Sequence, residues 1–167
     1  MKQLLTCLAL CGAIFSTSAQ TLWRGAPMNA SPAEIQALIA EAQATTPERR
    51  SRETGALLEI PSYPIAGESF AVTFLFEAER LQHIHLVARP GSRERTRALA
   101  QELSTSLRAR YGLPISTKAR QDALPGAIDL RWAFRRMTVQ LQVPDGETVD
   151  LLYSTAIPSR PLTGSGL

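Results

Sequence analysis

The chain has 167 residues, with 18 lysines and arginines against 15 aspartates and glutamates. This length fits one domain that is large enough to bury a hydrophobic core. The formal charge of +3 is too small to indicate a strongly anionic partner, and no aromatic residues alternate with the basic ones to form a nucleic-acid platform. We therefore expect no nucleic-acid partner.

The first nineteen residues have the pattern of a secretory signal peptide. Lys2 supplies the positive start, and residues 4–15 form an uncharged apolar run. The small residues Thr17 and Ala19 then precede a predicted cleavage site before Gln20. Cleavage would place the mature protein in the periplasm or outside the cell, and the high alanine and arginine content is typical of a Gram-negative bacterium.

Two alternatives concern the same segment. The apolar run is about half of the roughly 20 residues that a membrane-spanning helix needs, so an uncleaved anchor is the weaker interpretation. Cys11 would carry lipid in a lipoprotein, but Leu10 is larger than the small residue that such signals require. Both cysteines, Cys7 and Cys11, lie in this segment, so the cleaved chain would have no disulfide and no thiol nucleophile. We expect no transmembrane span in the mature chain.

The first helix has a strong start signal. Ser31 is suited to the N-cap, Pro32 to the first helical position and Glu34 to a capping box. Apolar residues at helical spacing predict a buried face that extends to about Ala44: Ile35, Leu38, Ile39 and Ala42. The polar residues 45–53, with three arginines, predict a solvated linker.

Three strands are predicted next, over residues 55–61, 68–77 and 81–88. A turn at residues 78–80 would pair Phe74 with Ile84 and Val72 with Leu86. That register places His83, His85 and Val87 on the opposite face.

A second helix is predicted from Ser92 to Tyr111, with an apolar stripe at every fourth residue formed by Leu99, Leu103, Leu107 and Tyr111. A loop over residues 115–126 follows it. Three further strands show alternating inward residues, namely Ile128, Leu130, Trp132 and Phe134, then Val139, Leu141 and Val143, then Val149, Leu151 and Tyr153.

The order of elements is thus helix and three strands, repeated once. A three-stranded meander with one apolar face cannot bury that face alone. We therefore predict an α+β fold in which two α-β-β-β units form one antiparallel sheet with two helices on one face. Residues 20–157 would form a single domain, and the Pro/Gly/Ser-rich residues 158–167 a disordered tail.

The second half resembles known envelope proteins. Its helix ends in Tyr111-Gly112-Leu113-Pro114, and a strand that carries Trp132 follows. This pattern is similar to the SmpA-type lipoprotein of the outer-membrane barrel-assembly machine, and tandem α-β-β-β units occur in β-lactamase-inhibitor-like proteins. The chain also resembles uncharacterised secreted proteobacterial proteins with a Phe-rich hairpin and Tyr-Gly-x-Pro. The resemblance implies a module that binds proteins.

Motifs for catalysis are missing from the sequence. It contains no G-x-S-x-G, H-E-x-x-H, P-loop or EF-hand pattern. We therefore expect a non-catalytic protein without a cofactor, whose partner is another envelope or secreted protein.

His83 and His85 form the one local pair with ligand chemistry. Residues two apart on a strand share a face, so both imidazoles can reach one metal ion, although zinc needs three or four ligands. The simpler interpretation is two exposed histidines on the solvent side of a sheet. The alternative function is a periplasmic protein that binds a metal or small ligand on this face.

Two further candidate binding features are basic or aromatic. Arg93, Arg97 and Arg108 lie within an arc of roughly 60° on the second helix and could contact lipid phosphates or an acidic protein. Trp23 precedes the first helix, where it could anchor a partner or fold back onto the sheet.

The predicted cleavage of the signal peptide can be tested directly. We expect the mature protein to begin at Gln20, because the small residues of 17–19 suit signal peptidase. The intact mass of the exported protein measures this. A mass that retains residues 1–19, or that includes lipid on Cys11, would contradict it.

Overall fold

The computed structural model describes residues 21–115 and 127–155. A short 3-10 turn at Trp23–Gly25 precedes three helices, which are α1 (Pro32–Leu38), α2 (Pro47–Arg52) and α3 (Arg93–Tyr111). The strands are β1 (Gln43–Ala44), β2 (Ala56–Ile65), β3 (Glu68–Glu77), β4 (Arg80–Ala88), β5 (Ile128–Phe134), β6 (Met137–Val143) and β7 (Val149–Thr155).

All seven strands form one antiparallel sheet in the order β1-β2-β3-β4-β7-β6-β5. The last strands of the two meanders, β4 and β7, lie side by side and join the halves. The α+β fold with one antiparallel sheet is therefore confirmed.

One face of the sheet, the inner face, carries the core. Leu86 of β4 lies opposite Leu151 of β7, and Leu151 lies opposite Leu141 of β6. All three side chains are buried. Full burial of such a side chain stabilises the fold by roughly 1.5–3 kcal/mol, so this continuous apolar face is the main source of stability.

Two elements cover the inner face. Helix α3 packs over β5, β6 and β7 through Leu99, Leu103 and Leu107, as its predicted apolar stripe requires. The segment around α1 joins the same core through Leu22 and Ile35. Both predicted helices therefore lie on one face of the sheet.

The first helix is shorter than predicted. Its capping box is present, since Glu34 N donates to Ser31 Oγ (3.3 Å) and Ser31 N donates to Glu34 Oε2 (2.7 Å). However, the helix ends at Leu38, whose side chain is 53% exposed. Extended backbone at Ile39 brings the chain to β1, which pairs with β2 and so replaces the helical hydrogen bonds.

Most of the predicted solvated linker over residues 45–53 is exposed, as expected, but the segment forms a short helix, α2, rather than a linker. Thr46 caps α2 by accepting a hydrogen bond from Arg49 N (3.3 Å), and Pro47 occupies its first turn. The same combination of a hydroxyl cap and a following proline marks the start of α1. This helix lies on the outer face of the sheet, opposite to α1 and α3, because its Arg49 reaches Thr73 there.

The predicted strand that ends at Pro61 continues to Ile65. β1 pairs only with Leu58 and Glu59, so Pro61 and Pro64 lie where β2 is an edge strand and no N–H group is needed. The pairing of Phe74 with Ile84 and of Val72 with Leu86 is confirmed.

The alternation of buried residues holds in β6 and β7 and fails at the end of β5. Trp132 is 1% exposed, but Phe134 is 41% exposed although it was predicted to point inward with it. Phe134 belongs to the last pair before the hairpin turn, on the edge strand of the sheet, and α3 ends beside it at Tyr111.

Several expectations lie outside the described residues. These are the signal peptide and its cysteines, most of the loop over residues 115–126, and the tail over residues 158–167. Within residues 21–115 and 127–155, no helix has the length and apolar character needed to cross a membrane.

Trp132 is the residue whose truncation we expect to be most costly. Its ring is buried, and its Nε1 donates to the Gly112 carbonyl (2.9 Å), which ties the end of α3 to β5. Trp132→Ala should lower the free energy of unfolding by about 3–5 kcal/mol, the range for large aromatic truncations. Denaturant melts measure this, and Phe134→Ala on the same strand is the matched control with an expected loss below about 1 kcal/mol. Equal losses for the two variants would contradict the burial of Trp132.

Candidate functional site

His83 and His85 lie on the outer face of the sheet, as predicted, but neither imidazole is fully exposed. The His85 side chain is 31% exposed and lies between two carboxylates. Its Nε2 is 3.4 Å from Asp150 Oδ1 on β7, and its Nδ1 is 3.6 Å from Glu53 Oε1 at the end of α2. His83 Nδ1 lies 3.0 Å from Ser154 Oγ. The simpler sequence-based interpretation, two merely solvated histidines, is therefore wrong.

The two imidazoles have opposite electrostatic surroundings. Hydrogen bonding to Asp150 raises the pKa of His85, and partial burial lowers it. The charge of Glu53 raises the pKa further, so the net shift is upward. Burial lowers the pKa of His83, and the charge of Glu77 opposes that effect only in part. Protonation is thus favoured at one histidine and disfavoured at its neighbour two residues away.

Arg49 connects α2 to the same face. Its Nη2 donates to Thr73 Oγ1 (2.6 Å), and its Nη1 lies 3.2 Å from Glu59 Oε2. Glu59 is only 8% exposed, and its Oε2 accepts no hydrogen bond from the described residues. The guanidinium therefore supplies the countercharge that a nearly buried carboxylate needs.

These groups do not form a recognisable metal centre. Among residues 21–115 and 127–155, no three or more histidines, cysteines, aspartates or glutamates are placed to hold one ion together. Metal binding by His83 and His85 remains a prediction from the sequence.

The predicted arginine group divides into two parts. Arg93 and Arg97 line one cavity of about 300 Å³, together with Thr96, Ile128 and Val143. Glu147 already lies 3.8 Å from Arg93, which reduces the positive charge that a ligand would meet. Arg108 is eleven residues beyond Arg97, or roughly 16 Å along the helix axis, and does not reach this cavity.

Trp23 folds back onto the inner face. Its ring packs edge-on against Tyr63, with centroids 5.0 Å apart, and lies 6.4 Å from Phe74. Arg24 lies 4.8 Å from the centroid of Tyr63 and completes this cluster. The contacts support packing, rather than an interaction anchor, as the role of Trp23.

A surface that the sequence analysis did not single out lies at the end of α3. Leu113 and Ile115 are 82% and 66% exposed, and Phe134 is 41% exposed. Tyr111 packs against Phe134 with ring centroids 5.7 Å apart. We call these four residues the α3-end patch: Tyr111, Leu113, Ile115 and Phe134. Apolar residues on both sides of Pro114, in a loop that follows a helix C-cap, were the signal available in the sequence.

The α3-end patch is held in place by backbone anchors. Ile115 N donates to the Arg131 carbonyl on β5 (2.8 Å), and the Gly112 carbonyl accepts from the buried Trp132. Gly112 has a φ of +83°, a conformation that glycine adopts without strain, and it turns the chain away from the helix. The exposed apolar side chains therefore stand on a fixed backbone.

No protein-family model and no curated protein sequence matches this chain. Among solved structures, the chain is similar to the crystal structure of a DUF4309 family protein, YjgB, from Bacillus subtilis. The two share 12% sequence identity with a TM-score of 0.43, and the similarity covers 75% of this chain and 78% of the other.

His85 should make folding stability depend on pH. Because its pKa is raised in the folded state, its contribution is fully present below the unfolded pKa of about 6.5 and is lost as pH rises through the folded value. His85→Gln should therefore destabilise the protein more at pH 5.5 than at pH 8.5, by about 1 kcal/mol, the upper scale for partly exposed ion pairs. Denaturant melts at the two pH values measure the difference.

His83→Gln is the matched control, because its pKa shift has the opposite sign. The folded state resists protonation of His83, so the contribution of His83 to stability falls as pH drops below about 6.5, and removal of the imidazole should relieve that loss. If the two variants show the same pH dependence, the assignment of opposite surroundings is wrong.

Proposed function

We propose that this protein is an exported, non-catalytic module that binds another protein of the cell envelope or a secreted protein. The observation that carries the proposal is the α3-end patch. The expectation of export and the absence of catalytic motifs come from the sequence, and the patch supports the binding role.

A patch of this composition is costly unless it is covered. Leu113 and Ile115 expose most of their side chains to water. Full burial of an apolar side chain of this size is favourable by roughly 1.5–3 kcal/mol relative to leaving it exposed. Isolated apolar residues on a surface are ordinary, but several exposed apolar side chains at the end of one helix and its neighbouring strand are typical of an interaction site. Aromatic residues and arginine are also the residue types enriched at the centres of protein interfaces.

The rigidity of the patch further supports a binding role. Its side chains project from a backbone fixed by the Trp132–Gly112 and Ile115–Arg131 hydrogen bonds. A preorganised surface loses less conformational entropy when it binds, so more of the contact energy becomes affinity.

Photo-crosslinking tests the proposal. A photoreactive amino acid is placed at position 113, and the labelled protein is added to the envelope and secreted fractions of the producing cells. We expect one dominant protein adduct. Position 52 is the control, because Arg52 is exposed on α2, on the opposite face of the sheet. Phe134→Ser, which alters the patch at a partly exposed residue, should abolish the adduct from position 113 while leaving the melting temperature nearly unchanged.

The pattern of adducts decides the outcome. A dominant adduct that depends on both position 113 and Phe134 supports the proposal. Equal labelling from positions 113 and 52, or an adduct that Phe134→Ser leaves intact, would contradict it.

A further inference from the structure

The α3-end patch has a positively charged rim. The Arg110 guanidinium lies 5.5 Å from the ring centroid of Tyr111, and the Arg135 guanidinium lies 5.3 Å from that of Phe134. Neither of the two forms an ion pair with a carboxylate among the described residues. A guanidinium that interacts with a ring through its face keeps N–H donors for a carboxylate at its edge.

The surrounding sequence does not neutralise this charge. The segments 103–115 and 130–135 contribute four arginines and no aspartate or glutamate: Arg108, Arg110, Arg131 and Arg135. The patch therefore combines an apolar centre with a rim of one sign.

We propose that the partner docks on the α3-end patch through a polypeptide segment that carries apolar side chains flanked by aspartate or glutamate. This inference rests on the proposed function and names the chemistry of the partner. The apolar side chains cover Leu113, Ile115 and Phe134, and the carboxylates pair with Arg110 and Arg135. Complementary charge of this kind directs partner choice and speeds association.

A second copy of the chain fits the surface poorly. A two-fold symmetric contact places the same patch of both subunits together, so the arginine rim of one subunit would meet the arginine rim of the other. Like charges brought together across an interface oppose association.

The chain's own remaining segments also lack the required charge. Residues 116–126 contain Lys118 and Arg120 against one carboxylate, Asp122. Residues 156–167 contain Arg160 and no aspartate or glutamate, and residues 1–20 contain Lys2 and no aspartate or glutamate.

An anionic lipid surface would complement the positive charge of the rim, but its hydrocarbon could not satisfy the backbone hydrogen-bonding groups beside the α3-end patch. The patch borders β5, the edge strand, and the Arg131 carbonyl points away from β6 to accept from Ile115. Alternate residues of an edge strand direct their N–H and C=O groups the same way, so Asp129 and Ala133 share this direction. Hydrocarbon cannot hydrogen-bond such groups, whereas a polypeptide can.

Selection of peptides tests the chemistry without knowledge of the natural partner. A display library of random peptides, about 12 residues long, is selected on the immobilised protein with Leu113→Asp as the counter-selection. Peptides that bind wild type and not the variant should be enriched in Phe, Leu or Ile together with Asp or Glu. The most enriched peptide should bind Arg110→Glu and Arg135→Glu at least about tenfold more weakly at low salt, as expected for direct charge pairs.

Arg89→Glu is the matched control, since Arg89 is exposed directly after β4, at the end of the sheet away from Phe134, and carries the same change of charge. Its affinity for the peptide should stay within about twofold of wild type, and circular dichroism melts confirm that all variants fold. Equal weakening by Arg89→Glu would mean that only net charge is sensed, which would overturn the inference.

The remaining outcomes separate the inference from the proposed function. Leu113-dependent peptides without acidic enrichment would overturn the inference and leave the binding role standing. The absence of any Leu113-dependent peptide would overturn both. Self-association in sedimentation that Leu113→Asp abolishes would overturn the inference and identify a second copy of the chain as the partner. Binding to phosphatidylglycerol vesicles that Arg110→Glu abolishes would overturn it and identify a membrane as the partner.

Discussion

The pairing of β4 with β7 is the contact on which the rest of this structure depends. It aligns Ile84 with Tyr153 and Leu86 with Leu151, and so makes one apolar surface from two meanders that could not each bury their own. A surface of that width needs two covering elements, α3 over the second half and the α1 segment over the first. The position of α3 then brings its C-terminal end to the edge strand β5, where the α3-end patch forms.

The outer face follows a different principle. Glu59, Thr73 and His85 lie in register across β2, β3 and β4, and α2 contributes Arg49 and Glu53 above them. Polar groups that are partly withdrawn from water need partners, so the helix is held by ion pairs and hydrogen bonds rather than by an apolar face. The two faces therefore separate two tasks, since burial on the inner face stabilises the fold and charge on the outer face makes that stability sensitive to pH.

The candidate surfaces were predictable to different degrees. Period-two spacing correctly placed His83 and His85 on one face, because alternation along a strand is local geometry. The carboxylates beside His85 come from α2 and β7, about 32 residues before and 65 residues after it in the chain, so no local pattern could reveal them. The α3-end patch was missed for a similar reason: alternation assigned Phe134 to the core, and only the place where α3 ends shows that nothing among the described residues covers it fully.

The sequence by itself determined the α+β class, the capping box at Ser31, the apolar stripe of α3 and the register of the β3–β4 hairpin. Each of these depends on residues close together in the chain, where side-chain periodicity and backbone preferences act directly. Only the tertiary structure decided the strand order, the early end of α1, the formation of α2 over the sheet and the exposure of the α3-end patch. These features depend on which distant segments compete for the same apolar surface and hydrogen bonds, and that competition is settled only when the whole chain is packed.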